Sequence, residues 1–181
     1  MKTILNLSCI FWLSLTMIAT SQDIPNPAID YRGFLEDAAK VEKERAQKRI
    51  SEADFMRMAA DPSTIVFDAR SRAKYELLHI RGAKHLSLPD ITAAELEKAI
   101  PTKATRVLIY CNNNFRNEPA AFPTKIARAS LNIYTFNTLY SYGYTNVYQL
   151  GPLIDIKTSK LPFEGLTAAI QPNAVSQTHY R

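Results

Sequence analysis

Cysteine is scarce in this chain of 181 residues, which has only Cys9 and Cys111. Cys9 lies in an N-terminal apolar stretch of the kind that directs export, so cleavage of that stretch would leave Cys111 as the single thiol. A single thiol excludes an internal disulfide in the mature chain, although disulfides persist in the compartments that exported proteins reach. Two interpretations of Cys111 stay open: a buried small hydrophobe, as most free cysteines are, or a reactive thiol.

A long uninterrupted hydrophobic run is also missing. The apolar stretch from Ile4 to Ile18 contains four polar residues and is shorter than the ~20 residues of a membrane-spanning helix. Lys2 precedes the stretch and the small residues Ala19-Thr20-Ser21 follow it, so residues 1–21 are predicted to be a cleaved export signal. The mature protein is then expected to be periplasmic or secreted, with no stable membrane span. An uncleaved anchor is the alternative.

Clustered positive charge, internal repeats and metal-ligand spacing are absent as well. The formal net charge is +5, but the positive residues are dispersed rather than gathered into the stripe of a nucleic-acid-binding protein. The three histidines and the mature cysteine lack the spacing of metal ligands. These absences argue against nucleic acid as a partner, and we expect neither a metal nor a cofactor. The mildly positive net charge favours small anions as ligands.

The rest of the chain has the length of one domain with one core. Residues 22–49 are predicted to be a leader and a charged surface helix, residues 50–165 the domain, and residues 166–181 a tail. Short apolar segments alternate with helices whose starts are marked by capping residues, Ser51 and Thr92. This alternation predicts an α/β fold with an open parallel sheet and helices on both faces.

One predicted strand ends at the cysteine. Residues 107–110 are a β-branched and aromatic run, and after Cys111 come three asparagines, which tolerate turn geometry. Ligands bind at the carboxyl edge of open parallel sheets. Backbone N–H groups in such a loop, with a helix N-terminus nearby, would stabilise a thiolate and bind an anion. The sequence therefore predicts a nucleophilic cysteine in a polar loop.

Four segments resemble the ordered motifs of a rhodanese-like domain: IVFDAR at 65–70, AKYELLHIRGAKHL at 73–86, LIYC at 108–111 and GYTNVYQL at 143–150. The resemblance covers roughly residues 50–165 and implies a parallel-sheet α/β fold. It also implies sulfur transfer. In active rhodaneses the cysteine takes a sulfane sulfur from a small anionic donor such as thiosulfate, becomes a persulfide, and passes the sulfur to a thiol or cyanide.

The resemblance also implies the roles of individual residues. Cys111 is the catalytic residue, and the loop after it, Asn112, Asn113, Asn114, Phe115 and Arg116, is predicted to bind the anionic donor. Arg116 either adds positive charge for that donor or is a solvated loop arginine. Asp68 and Arg70 lie on the same edge and either support the loop or merely hold a turn. Four residues separate Cys111 from Arg116, a loop size that resembles sulfurtransferases more than the related phosphatases.

The chain departs from the family in two places. About a dozen residues are inserted within 116–131, ahead of a helix predicted over 133–142 with Asn132 as its N-cap, and Gly151-Pro152 stands where a glycine pair and a tryptophan are usual. The insertion either separates the thiol from the helix dipole or forms a lid. A non-catalytic module that binds an anion or a partner protein, and a thiol oxidoreductase, are therefore alternatives to a sulfurtransferase.

Overall fold

The computed structural model describes residues 24–168, so the predicted export signal and most of the predicted tail lie outside the described residues. Residues 24–30 are a unit of their own, containing a turn in which the Asn26 side chain accepts a hydrogen bond from Ala28 N–H. The second unit begins at Tyr31 and contains the described helices and strands. Within the described residues no helix is long and apolar enough to cross a bilayer.

A five-stranded parallel sheet forms the centre of the second unit. The strands described in this unit are β1 Arg49–Ile50, β2 Ile65–Asp68, β3 His79–Ile80, β4 Lys84–His85, β5 Val107–Tyr110, β6 Phe115–Arg116, β7 Val147–Leu150, β8 Ile154–Asp155 and β9 Phe163–Glu164. The central sheet has the order β1-β7-β5-β2-β4, and every pairing in it is parallel. The middle strand is therefore β5, and Cys111 follows at its carboxyl end.

Helices cover both faces of this sheet, as the sequence predicts. They are α1 Tyr31–Gln47, α2 Glu52–Ala59, α3 Arg72–Leu77, α4 Ala93–Ala99 and α5 Leu131–Ser141. One core cluster joins the sheet to α2 and α3, and a second joins its other face to α1, α4 and α5. The predicted caps are confirmed, because Ser51 accepts a hydrogen bond from Asp54 N–H and Thr92 from Glu95 N–H. The α/β fold is confirmed.

Side-chain alternation along β5 decides which face the cysteine belongs to. Leu108 and Tyr110 belong to the cluster with α2 and α3, whereas Val107 and Ile109 belong to the cluster with α1, α4 and α5. Successive side chains of a strand point to opposite faces, so Cys111 continues the face of Ile109. The thiol is thereby directed towards the side of the sheet that carries α1 and α5.

Two short strand pairs lie outside the central sheet. β9 pairs antiparallel with β3, and this brings residues 163–164 against the edge of the domain. Gly165 is needed there, because a Cβ at this position would lie 2.7 Å from Leu77 O. β6 pairs parallel with β8 and leads the chain away from the cysteine loop.

The helix after the insertion begins earlier than predicted. Its N-cap is Ser130, and Asn132 lies inside the helix rather than capping it. The side chain of Asn132 is buried, and its amide donates to Asn114 Oδ1 at 2.9 Å instead of binding its own helix terminus. A tertiary hydrogen bond thus replaces the local one that the sequence predicts. The helix ends as expected before Gly143, which has φ +84°.

Candidate active site around Cys111

Cys111 is buried, with 1 % of its surface exposed. Its Sγ lies 3.5 Å from Oγ of Ser130, the N-cap residue of α5. The insertion does separate the cysteine loop from the helix in sequence, but the chain returns so that the N-terminus of α5 lies beside the thiol. Free N–H groups and the helix dipole at such a terminus favour a negative sulfur. The helix is therefore not lost from the site.

Asn114 holds the cysteine loop in place. Its Oδ1 accepts hydrogen bonds from Cys111 N–H and from Asn132 Nδ2, both at 2.9 Å. Its Nδ2 donates to Leu150 O at 2.7 Å and to Pro152 O at 3.2 Å. One buried side chain therefore connects the cysteine loop to α5 and to the end of β7. The Asn114 side chain therefore forms its hydrogen bonds with the protein and not with a donor anion.

Asn113 connects the cysteine loop to the inserted segment, residues 117–130. Its Nδ2 donates to Lys125 O at 2.7 Å, and its Oδ1 accepts from Lys125 N–H at 3.2 Å. The segment is also held where Lys74 Nζ donates to Ala120 O and where Phe122 is buried in the core. The insertion therefore packs against the cysteine loop as a cover, a placement compatible with a lid.

Asn112 lies at a cavity beside the thiol-bearing residue. Its side chain is buried, and its Oδ1 has no hydrogen-bond partner among the described residues. The cavity has a volume of about 470 Å³ and is also lined by Lys74, Lys125, Asp90 and Leu131. Arg70 also lines the cavity but is paired with Asp68, so the two lysines against Asp90 leave a surplus of positive charge. Of the predicted loop residues, Asn112 is the one placed to meet a small ligand.

Phe115 and Arg116 do not take the donor-binding positions predicted for them. Phe115 is fully buried, with its ring centroid 4.6 Å from that of Phe122 and 5.4 Å from that of Phe163. The exposed Arg116 side chain pairs with Asp155, Nε to Oδ2 at 3.7 Å. Both residues belong to β6, which pairs with β8 outside the central sheet. Arg116 therefore does not close a loop around an anion, and loop length does not separate sulfur from phosphate chemistry here.

Asp68 and Arg70 form a buried ion pair behind the loop. Arg70 donates to both carboxylate oxygens of Asp68, with Nη2 to Oδ2 at 2.6 Å, and also to Leu78 O and Ala121 O. Burial acts to lower the pKa of Arg70, but hydrogen bonds and charge from Asp68 outweigh it and the pKa is raised. Tyr110 donates to Asp68, and its pKa is raised well above the usual value, chiefly by burial. The bond to Ala121 makes this pair an anchor for the insertion.

Four residues near the thiol were not assigned a role there from the sequence: Ser130, Asn132, Gln149 and Arg45. Arg45 lies in the last turn of α1, and its Nε donates to Oε1 of the buried Gln149 at 2.5 Å. Burial lowers the pKa of Arg45, the positive charge of Arg49 lowers it further, and the negative charge of Cys111 opposes both. A sequence signal existed only for Ser130, since serine is a common N-cap residue.

The described residues contain no group of three or more histidine, cysteine, aspartate or glutamate side chains that would hold a metal ion. The chemistry available around Cys111 is that of a sulfur nucleophile, amide and hydroxyl groups, a helix terminus and nearby cations. This combination favours reactions in which sulfur carries negative charge.

Comparison with known proteins gives the family. The chain is similar to a rhodanese-like domain of an Anabaena protein, with 19% identity, a TM-score of 0.48, and coverage of 74% of this chain and 96% of that one. It is similar to a rhodanese with anions from E. coli, with 23% identity, a TM-score of 0.36, and coverage of 57% and 99% of the two chains. It is also similar to a thiosulfate sulfurtransferase from Pseudomonas aeruginosa, with 18% identity, a TM-score of 0.42, and coverage of 66% and 21%. No curated protein matches. A family model described as the rhodanese-like domain matches residues 51–150, more than half of the chain. The chain therefore belongs to the rhodanese-like domain family.

Proposed function

We propose that the protein is a sulfurtransferase that carries sulfane sulfur as a persulfide on Cys111. The observation that carries the proposal is the position of the thiol, at the carboxyl end of the central strand and 3.5 Å from the N-cap hydroxyl of α5. The N–H groups in the first turn of this 11-residue helix favour a negative sulfur, first as thiolate and then as persulfide.

The proposed reaction has two displacement steps. In the first, the Cys111 thiolate attacks the outer sulfur of thiosulfate, the sulfur–sulfur bond of the donor breaks, and sulfite leaves with the bonding electron pair. In the second, an acceptor thiolate or cyanide attacks the outer sulfur of the persulfide, and Cys111 leaves as the thiolate. The products are an acceptor persulfide or thiocyanate, and the electrons balance without an external oxidant.

The cavity next to Asn112 is the proposed donor site. Lys74 and Lys125 give it positive charge, which suits a small dianion such as thiosulfate. Cys111 itself is buried, so the inserted segment at residues 117–130 has to move for the donor to reach the sulfur. Sulfur transfer on this chain is therefore proposed to be gated by the insertion.

Persulfide formation is the direct test of the proposed function. We expect the protein, after incubation with thiosulfate or inorganic polysulfide, to gain one sulfur atom by intact mass and to lose it on addition of cyanide. Because Cys9 is a second thiol in the full chain, peptide mapping has to place the added sulfur on Cys111. If neither thiosulfate nor polysulfide adds a sulfur atom to Cys111, the proposal is contradicted.

The gating step predicts a gain of access when the insertion is released. Asn113→Ala removes both side-chain hydrogen bonds to Lys125, so iodoacetamide should alkylate Cys111 faster by roughly fivefold, the effect of about 1 kcal/mol of lost hydrogen bonding. The matched control is Asn146→Ala, which removes a single hydrogen bond from Asn146 to Ala104 O at an exposed loop and should leave the rate unchanged. Equal rates in both variants would show that the insertion does not gate the thiol.

A further inference from the structure

We propose that Arg45 is a positioning residue that supplies positive charge to the Cys111 thiolate and to the persulfide that replaces it. Arg45 belongs to α1, outside residues 51–150, the part of the chain that the family model matches. The inference deepens the proposed function and rests on it where the persulfide is concerned. It makes the N-terminal helix part of the active site rather than a surface addition.

The geometry rests on a buried glutamine that holds the guanidinium group. Arg45 Nε donates to Gln149 Oε1 at 2.5 Å, and Gln149 is 5 % exposed. Gln149 lies on β7 in register with Ile109 of β5. Paired residues of adjacent parallel strands point to the same face, and Cys111 follows Ile109 on that face. The guanidinium group is therefore fixed on the side of the sheet that carries the thiol.

The elements packed around the thiol leave few other sources of charge. The sequences of α5, β5 and β7 contain no charged residue. Arg45 lies in α1, and Arg49 lies in β1 and donates to Gly151 O. Lys48, between these two elements, is paired with Glu44. The inserted segment adds Lys125 and Arg128. Of these cations, Arg45 is the one bound to a buried side chain of the thiol's face.

The electrostatics agree with this placement. The Arg45 guanidinium is partly desolvated, which lowers its pKa, while the charge of Cys111 raises it. Attraction between unlike charges is mutual, so a positively charged Arg45 also attracts a negatively charged sulfur on Cys111. The helix terminus and the Ser130 hydroxyl contribute only dipoles. Arg45 contributes a full charge that remains when the thiolate becomes a persulfide.

The test compares Arg45→Gln and Arg45→Lys with Lys43→Gln, which removes a positive charge from an exposed position of the same helix. The rate of iodoacetamide alkylation of Cys111 is measured as a function of pH in the full chain, with peptide mapping to separate Cys9. The readout is the ratio of the rate at neutral pH to the plateau rate at high pH. Both rates depend in the same way on how often the inserted segment opens to expose the thiol. A change in that opening, or in helix stability, therefore cancels in the ratio.

We expect Arg45→Gln to lower this ratio by roughly fivefold and Arg45→Lys to keep it within about twofold of the wild type. Lys43→Gln should leave it unchanged. An unaltered ratio in Arg45→Gln, an equal fall in Lys43→Gln, or a wild-type thiol that reacts at no pH would overturn the inference. Sulfur loading of the same proteins separates the two proposals. A wild type that gains no sulfur but keeps the Arg45 effect contradicts only the sulfurtransferase.

Discussion

Cys111→Ser is expected to abolish sulfur transfer from thiosulfate to cyanide, lowering turnover by at least about a thousandfold. A serine hydroxyl is not ionised at neutral pH and cannot hold sulfane sulfur as a persulfide. The substitution is nearly isosteric and preserves a hydrogen-bonding group 3.5 Å from the Ser130 hydroxyl, so the fold should be retained. Thiocyanate formation measures the turnover, and the circular dichroism spectrum confirms the fold.

The control for this variant is Cys9→Ser, which removes the other thiol of the full chain. It should transfer sulfur at the wild-type rate, because the proposed mechanism uses Cys111 alone. Transfer that survives in Cys111→Ser and disappears in Cys9→Ser would refute the assignment of the nucleophile. Transfer that survives in both variants would show that Cys111 is not required, which also contradicts the proposed mechanism.

Arg70→Met is expected to lower the free energy of unfolding by about 3–5 kcal/mol, the usual effect of removing one partner of a buried ion pair. The Asp68 carboxylate would stay buried without its cation, and the carbonyl groups of Leu78 and Ala121 would lose a donor. Since the Ala121 bond holds the inserted segment, access to Cys111 should rise as stability falls. Urea unfolding followed by circular dichroism measures the first effect.

The matched control is Arg57→Met, which breaks an exposed arginine–aspartate pair with Nη2 of Arg57 2.7 Å from Oδ1 of Asp54. Water solvates both groups there, so unfolding should hardly change. The double variant Asp68→Asn with Arg70→Met should recover part of the lost stability, because it also removes the uncompensated charge. If Arg70→Met unfolds at the same urea concentration as Arg57→Met, the buried network does not stabilise the domain as described.

The insertion changes how a rhodanese-like cysteine loop is built. In the sequence it stands between the loop and the helix, which suggests that the helix dipole is lost to the thiol. In the structure the segment leaves through β6, is held by Arg70, Lys74 and Asn113, and returns at Ser130. The cysteine loop thus keeps its helix and acquires a cover. Under the proposed function the insertion controls access to the thiol, and it also contributes the charge of Lys125 to the cavity beside Asn112.

Local sequence signals predicted the fold because each acts over a few residues. Alternating apolar segments and caps such as Ser51 and Thr92 specify strands and helices locally. The apolar run at residues 107–110 predicted a buried strand, and the structure places this strand in the middle of the sheet. Its position in turn put Cys111 at the carboxyl edge. The same local reasoning misplaced the start of α5, because Asn132 binds Asn114 from across the site.

The sequence by itself determined the family, the α/β fold and the position of the Cys111 thiol at the carboxyl end of a buried strand, because these follow from short-range patterns of apolar, capping and turn residues. Only the tertiary structure decided which side chains surround that thiol. In the structure Asn114 holds the cysteine loop through hydrogen bonds, Phe115 is a core residue, and Arg116 is an exposed partner of Asp155. Ser130 and Arg45 were brought to the face of the thiol from distant parts of the chain. Such contacts depend on sheet order and helix packing, which no local pattern of residues encodes.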